Sequence, residues 1–176
     1  MSVLQTAIQV LDGPALAVAR QGGAMTSSSG AQNSSSSRGV GRRVRVVIAD
    51  DFPEVLDAVE RRLEPKYEIV GRVSDGLALV ESVGKLQPDI LITDISMPGL
   101  TGIEALRRLR SQGVNTPAVI LSVHEDQELA KEAFLHGASG YVLKSRLEDD
   151  LQTAIEEALA GRTFISERLR RKLPGY

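Results

Sequence analysis

Four places in the sequence carry side chains able to do chemistry together: the pair Asp50-Asp51, then Asp94, Ser122 and Lys144. Each follows directly on a short apolar run. Asp94 is the most telling, since Ile90-Leu91-Ile92-Thr93 leads into it and no helical pattern begins until after Met97-Pro98-Gly99. The ordinary task of an aspartate near a helix is to cap it. Here Pro98, Gly99 and Gly102 keep the chain turning, and Thr101 with Glu104 already supplies a capping box for the next helix. Asp94 therefore ends a strand with no helix of its own to cap.

If these groups meet, the carboxylates repel one another, and one is driven toward protonation unless a cation joins them. Oxygen donors without Cys or His favour magnesium, or manganese, and magnesium characteristically binds carboxylates together with a phosphoryl group. Lys144 would add positive charge and Ser122 a hydroxyl donor. The set suits phosphoryl transfer to a carboxylate, for which no general base is needed because an aspartate is ionised at neutral pH. Singly, each residue has a plain structural role: Asp50 or Asp51 as a cap of the first helix, Ser122 as a strand end, Lys144 as a surface lysine. Their placement at successive strand ends is what argues for chemistry.

The elements that must position them are legible from periodicity. "VRVVIA" (44–49) reads as a buried strand, and Phe52, Val55, Leu56, Val59 and Leu63 then recur at helical spacing, with Pro53 in the first turn and Pro65 beyond the end. A weaker strand at 67–73 precedes a helix over 76–86 that turns Leu79, Val83 and Leu86 to one side. The third strand spans 89–93 and its helix 102–111, with Ile103, Leu106 and Leu109 inward. Strand four is 118–122, followed by a helix over 126–136 that ends at Gly137. Strand five is 140–144. The last helix places Leu147, Leu151, Ala154, Ile155, Ala158 and Leu159 on one stripe, with Ser145 and Glu148 as its expected capping box and Gly161 as its stop.

Five strands alternate with five helices, and continuous apolar strands indicate a parallel sheet covered on both faces. The expected fold is a doubly wound α/β sandwich with right-handed crossovers. Ligands of such sheets bind beyond the carboxyl ends of the strands, the edge where Asp50, Asp51, Asp94, Ser122 and Lys144 fall.

Composition bounds the rest. The chain has 176 residues, 42% of them apolar and 25% charged, which suits one domain with chain to spare. A formal net charge of −2 makes no demand for nucleic acid or an anionic membrane, and the absence of Cys excludes disulfides and thiolate chemistry. No apolar run approaches the roughly 18 residues of a membrane span, and the N-terminus lacks the basic start of a secretory signal, so a cytoplasmic location is expected. "TSSSGAQNSSSSR" (26–38) is nearly all small and polar, and residues 1–41 are expected to be a disordered extension with a Ser-rich linker.

From about Arg42 to Gly161 the sequence resembles a response-regulator receiver domain. The motifs that carry the resemblance are "VVIADD", "DILITDISMPG", "VILSVHED" and "GASGYVLKS", which together are highly specific. The resemblance implies a flavodoxin-like fold with strand order 2-1-3-4-5. It also implies that Asp94 accepts a phosphoryl group from a sensor histidine kinase. Asp51, Asp94 and the backbone carbonyl of Ser96 would bind magnesium directly, and Asp50 through water. Lys144 would pair with the phosphoryl oxygens. Ser122 would swing to hydrogen-bond them, and Tyr141 would turn inward behind it, reshaping the face formed by the fourth helix, fifth strand and fifth helix, where a homodimer or a downstream protein would bind. Ser96 and His124 stand at sites resembling those that tune phosphoryl lifetime.

Thr101 stands where many relatives carry Asp, and no Pro follows Lys144, which resembles the subgroup bearing a C-terminal helix-turn-helix. The remaining "RTFISERLRRKLPGY" (162–176) is too short for that unit and is expected to be a short tail, so DNA binding is not expected of this chain; a truncated product of a longer regulator is the alternative. Two other readings compete. Aspartate-nucleophile phosphohydrolases share the strand-end Asp, magnesium and Lys, but resemble a pattern with a second Asp where Ser96 stands. A pseudo-receiver that binds partners without phosphorylation has no need of Asp50, Asp51, Asp94, Ser122 and Lys144 together. The residues favour a switch over an enzyme.

Overall fold

The computed structural model describes residues 42–173. The extension expected over 1–41 lies outside the described residues. Strands β1 (Arg45–Ala49), β2 (Glu68–Val73), β3 (Ile90–Asp94), β4 (Ala118–Ser122) and β5 (Gly140–Leu143) alternate with helices α1 (Pro53–Leu63), α2 (Gly76–Leu86), α3 (Gly102–Ser111), α4 (Gln127–Leu135) and α5 (Leu147–Leu159). A 3₁₀ turn, Lys144–Arg146, leads into α5, and β6 (Phe164–Ile165) and α6 (Glu167–Arg170) follow it. The strands form one parallel sheet in the order β2-β1-β3-β4-β5-β6.

The doubly wound parallel architecture agrees with expectation; the strand count does not. The sheet has six strands rather than five, and the segment expected to be a tail adds β6 beyond β5. The reason is burial: Ile165, Leu169 and Leu173 are all sequestered and join the core layer containing Ala130, Ala133 and Tyr141. A fully buried side chain of this kind contributes about 1.5–3 kcal/mol, enough for so short a segment to dock. β5 is consequently not an open edge.

β3 and β4 are buried along their whole length, and β1 at all but its first residue, because helices cover both faces. On one face lie Leu79, Val83, Ile103, Leu106 and Leu109 from α2 and α3; on the other, Leu56, Val59 and Leu63 from α1 meet Leu151, Ala154 and Ile155 from α5. Two expected stripes lose a member. Phe52, counted with α1, is 57% exposed because it is the N-cap and stands outside the helix, and Leu159 at the end of α5 is exposed as well.

The capping box of α3 is present, with Thr101 Oγ1 accepting from the Glu104 amide and the Glu104 carboxylate accepting from the Thr101 amide. The box expected for α5 is absent. Ser145 is held inside the 3₁₀ turn, Arg146 becomes the N-cap without a side-chain cap bond, and Glu148, Asp149 and Asp150 in the first turn complement the helix dipole instead. Neither Asp50 nor Asp51 caps α1, whose N-cap Phe52 makes no side-chain cap bond.

Candidate functional site

Register alone gathers the polar groups. Ala49 of β1 pairs with Thr93 of β3, so Asp50 and Asp94 are the next residues out on neighbouring strands. Asp94 in turn pairs with Leu121, putting Ser122 one step beyond, and Ser122 pairs with Leu143, putting Lys144 one step beyond that. The carboxyl ends of β1, β3, β4 and β5 therefore present Asp50, Asp94, Ser122 and Lys144 along one rim.

The loop between β3 and α3 must fold back to keep that rim open. Gly102 opens α3 directly against β3: a Cβ there would stand 2.0 Å from the carbonyl oxygen of Asp94. Its amide donates to the Ile95 carbonyl at 2.9 Å. Any larger residue would push the loop away from the Asp94 backbone. Ser96, exposed in this loop, donates its amide to Asp94 Oδ2 at 2.9 Å and so orients the carboxylate. This is an aspartate turn rather than a helix cap.

Asp50 and Asp94 are almost completely buried, and Lys144 Nζ lies between them, 2.6 Å from Asp50 Oδ2 and 3.0 Å from Asp94 Oδ1. The ion pair gives Asp50 Oδ2 charge compensation, and it has no further partner among the described residues. Asp50 Oδ1 accepts the Phe52 amide at 3.0 Å. Asp51 Oδ1 is buried and has no partner among the described residues.

Oxygens of Asp50, Asp51 and Asp94 all lie within 4.8 Å of one another. An orphaned buried carboxylate oxygen beside two more carboxylates is costly unless a cation completes it. The donor set is all oxygen, which fits a hard divalent ion. The three carboxylates are thus positioned to hold such an ion.

Electrostatics follow from burial and from the lysine. Desolvation pushes Asp94 above the usual carboxylate range, with Asp50's charge adding to it, and Lys144 and the Ser96 amide only partly offset this. Burial pulls Lys144 down, but the two carboxylates outweigh it and leave the ammonium above its ordinary value. Lys144 is therefore a firmly charged group at neutral pH, 5.8 Å from the centroid of the exposed Phe52 ring.

Ser122 is buried and its Oγ accepts the amide of His124, itself exposed, at 3.0 Å. Tyr141 was expected to turn inward behind Ser122 as part of the switch; its ring is already fully buried, and its hydroxyl donates to the His124 carbonyl at 3.3 Å. Burial raises its pKa. The sequence thus leads to Asp50, Asp51, Asp94, Ser122, Lys144, Tyr141 and Ser96; the fold brings them to one rim except Tyr141, which lies inside β5 with its hydroxyl on the His124 carbonyl. It gave no hint of Ser166, buried next to the strand that delivers Lys144, because that proximity depends on the pairing of a two-residue strand.

Residues 46–156 match the family model described as the response regulator receiver domain. The chain is 34% identical over 133 residues to the transcriptional regulatory protein DegU of Brevibacillus brevis, covering 74% of this chain and 56% of that protein. Against the nitrate/nitrite response regulator protein NarL of Escherichia coli the identity is 33% over 126 residues, covering 70% and 58%. The chain therefore spans less than two thirds of the length of either relative. The solved signal receiver domain of NarL from Mycobacterium tuberculosis superposes with a TM-score of 0.65 at 30% identity, covering 68% of this chain and 98% of that domain. With the sheet order, the acidic rim and these matches in agreement, the chain belongs to the response regulator receiver family.

Proposed function

We propose that this chain is a phosphorylation-dependent switch that accepts a phosphoryl group on Asp94 from the phosphohistidine of a sensor histidine kinase. The observation that carries the reading is Asp94 itself: a buried carboxylate held by the Ser96 amide and Lys144, beside an unpartnered oxygen of Asp51.

In the step proposed, a carboxylate oxygen of Asp94 attacks phosphorus. The P–N bond to the donor imidazole breaks, its electron pair goes to the imidazole nitrogen, and an acyl phosphate forms. Asp50, Asp51 and Asp94, with the Ser96 carbonyl, would hold a magnesium ion, which would supply positive charge for the phosphoryl oxygens. Lys144 exchanges its contact with Asp94 for one with a phosphoryl oxygen and remains anchored by Asp50. Ser122 turns its hydroxyl to donate to another. Later attack by water on phosphorus returns the carboxylate and inorganic phosphate, so the only turnover is the switch's own resetting. An open cleft of about 830 Å³ lies beside Lys144, lined by Glu54, Val55, Ala58, Arg62 and Arg146 among others.

Output would pass through residues 123–126, to which Ser122 and Tyr141 are both bonded, and on to the face formed by α4, β5 and α5. A homodimer or a downstream protein reading that face meets β6 at its edge. No helix among the described residues is long and apolar enough to cross a membrane, which is compatible with a cytoplasmic partner kinase domain. The test is incubation with a small acyl-phosphate donor and magnesium, followed by intact mass. One labile phosphoryl group on the wild type and none on Asp94→Asn supports the reading; equal labelling of both overturns it.

A further inference from the structure

The segment beyond α5 carries one residue whose bonds lead straight back to the phosphoacceptor site, and its role rests on the receiver function proposed for this chain. Ser166 is fully buried. Its Oγ donates to Asp150 Oδ2 at 2.6 Å and accepts the amide of Leu143 at 3.1 Å, and its own amide donates to the Tyr141 carbonyl at 3.0 Å. Leu143 is the residue immediately before Lys144; Asp150 lies in the first turn of α5, just after the 3₁₀ turn that Lys144 opens. One hydroxyl therefore ties together the two ends of the segment that carries the lysine.

The other contacts of that segment do not join its two ends. The 3₁₀ turn Lys144–Arg146 and the start of α5 both lack a side-chain cap; Arg146 lies 2.8 Å from Asp149 and 3.6 Å from Asp150, Arg62 donates to the Glu148 carbonyl at 3.2 Å, and Leu147 is buried in the core. A hydroxyl bonded to a carboxylate is a short, charge-assisted contact, stronger still where water is excluded. The lysine's own side chain must reach two carboxylates on two other strands, so its backbone position decides whether both contacts are made.

We propose that Ser166, acting with Asp150, is a positioning residue that sets Lys144 against Asp94, so that β6 belongs to the phosphorylation site rather than to a linker. A residue that merely fastened β6 would affect stability and leave the lysine's contribution intact.

The test is a double-mutant cycle in the full chain, reading the rate of labelling by a small acyl phosphate at saturating magnesium, with magnesium affinity measured separately. Ser166→Ala is expected to slow labelling about tenfold, less than the roughly 10²-fold that a full 1 Å misplacement can cost, while magnesium affinity stays within about twofold because the three ligand carboxylates lie on other segments. In a Lys144→Ala background, Ser166→Ala should slow labelling no further. Losses that multiply in the double variant, or a Ser166→Ala rate equal to the wild type, overturn the proposal while leaving the receiver function standing. If Ser166→Ala does not fold, Asp150→Asn, which keeps the shape and removes the charge, goes through the same cycle: slower labelling that vanishes in the Lys144→Ala background supports the proposal, and an unchanged rate or multiplying losses overturn it. A wild type that takes no label at all removes the receiver function and this positioning role with it.

Discussion

Two clusters that each set one cation against two carboxylates, one at the outer surface and one at the rim, differ in almost everything else. On the outside, Arg72 of β2 bridges Asp57 and Glu60 of α1, with 38% of the Arg72 side chain in solvent. At the rim, Lys144 bridges Asp50 and Asp94, with 13% of the lysine and almost nothing of Asp50 exposed. The outer trio is satisfied and screened by water. The inner one is short of positive charge, because Asp51 brings a further carboxylate whose buried oxygen has no partner among the described residues. The same pairing that fastens a helix to a strand outside becomes, when buried with one anion too many, a site whose carboxylates are positioned to hold a divalent cation.

The largest effect that would sharpen this contrast is on chemistry. Lys144→Ala should slow phosphoryl acceptance at Asp94 by about 10²–10³, the usual loss for one electrostatic stabiliser of developing charge, whereas Arg72→Ala should leave the rate within about twofold. Rates read by mass in a time course check both, and equal losses would erase the distinction.

Next comes the cation. Magnesium at about 100 times its dissociation constant should stabilise the fold by about 2.7 kcal/mol through binding to the native state alone. Denaturant unfolding with and without the ion measures it. Asp51→Asn should lose most of that gain, while Asp57→Asn in the outer cluster should keep it.

A smaller effect reverses the usual sign of a mutation. Because burial raises Asp94 above its unfolded value of 3.8, the ionised carboxylate opposes folding once pH exceeds the folded pKa. The native state binds the proton more tightly there than the unfolded chain, so the penalty grows as pH rises from about the unfolded value through the folded one. Without magnesium, Asp94→Asn should therefore melt higher than the wild type at neutral pH, and the gap should shrink in acid. A variant less stable than the wild type at neutral pH would mean that Lys144 overcompensates.

The smallest effect is outside. Arg72→Ala should cost less than about 1 kcal/mol, and most of that should vanish in 1 M salt, as for exposed ion pairs generally. A salt-resistant loss would show that the outer trio is more than a screened surface bridge.

How far the sequence led depends on whether the deciding contact was local. β1, β3 and β4 were legible because strands covered on both faces read as unbroken apolar runs, and Asp50, Asp94, Ser122 and Lys144 followed because a parallel register delivers consecutive strand ends to one rim. β6 was not legible: Phe164 and Ile165 are too few to show a period, and their pairing with β5 spans the whole of α5. The α5 capping box had the right residue types, but the 3₁₀ turn that places Lys144 consumes Ser145. Phe52 fits the spacing of the α1 stripe yet lies at the cap, where helical periodicity has not begun, and its ring faces the lysine instead of the core. Ser166 looks like any loop serine until Asp150 and Leu143 are seen around it.

Switching of this kind depends on a single acceptor carboxylate, and the most direct check is to find where the phosphoryl group sits. Reducing the acyl phosphate with borohydride converts the acceptor aspartate to homoserine, which peptide mass mapping then locates. After treatment with an acyl-phosphate donor and magnesium, the conversion should fall on Asp94 alone. Conversion at Asp50 or Asp51 instead, or phosphoryl transfer with no converted aspartate anywhere, would contradict it.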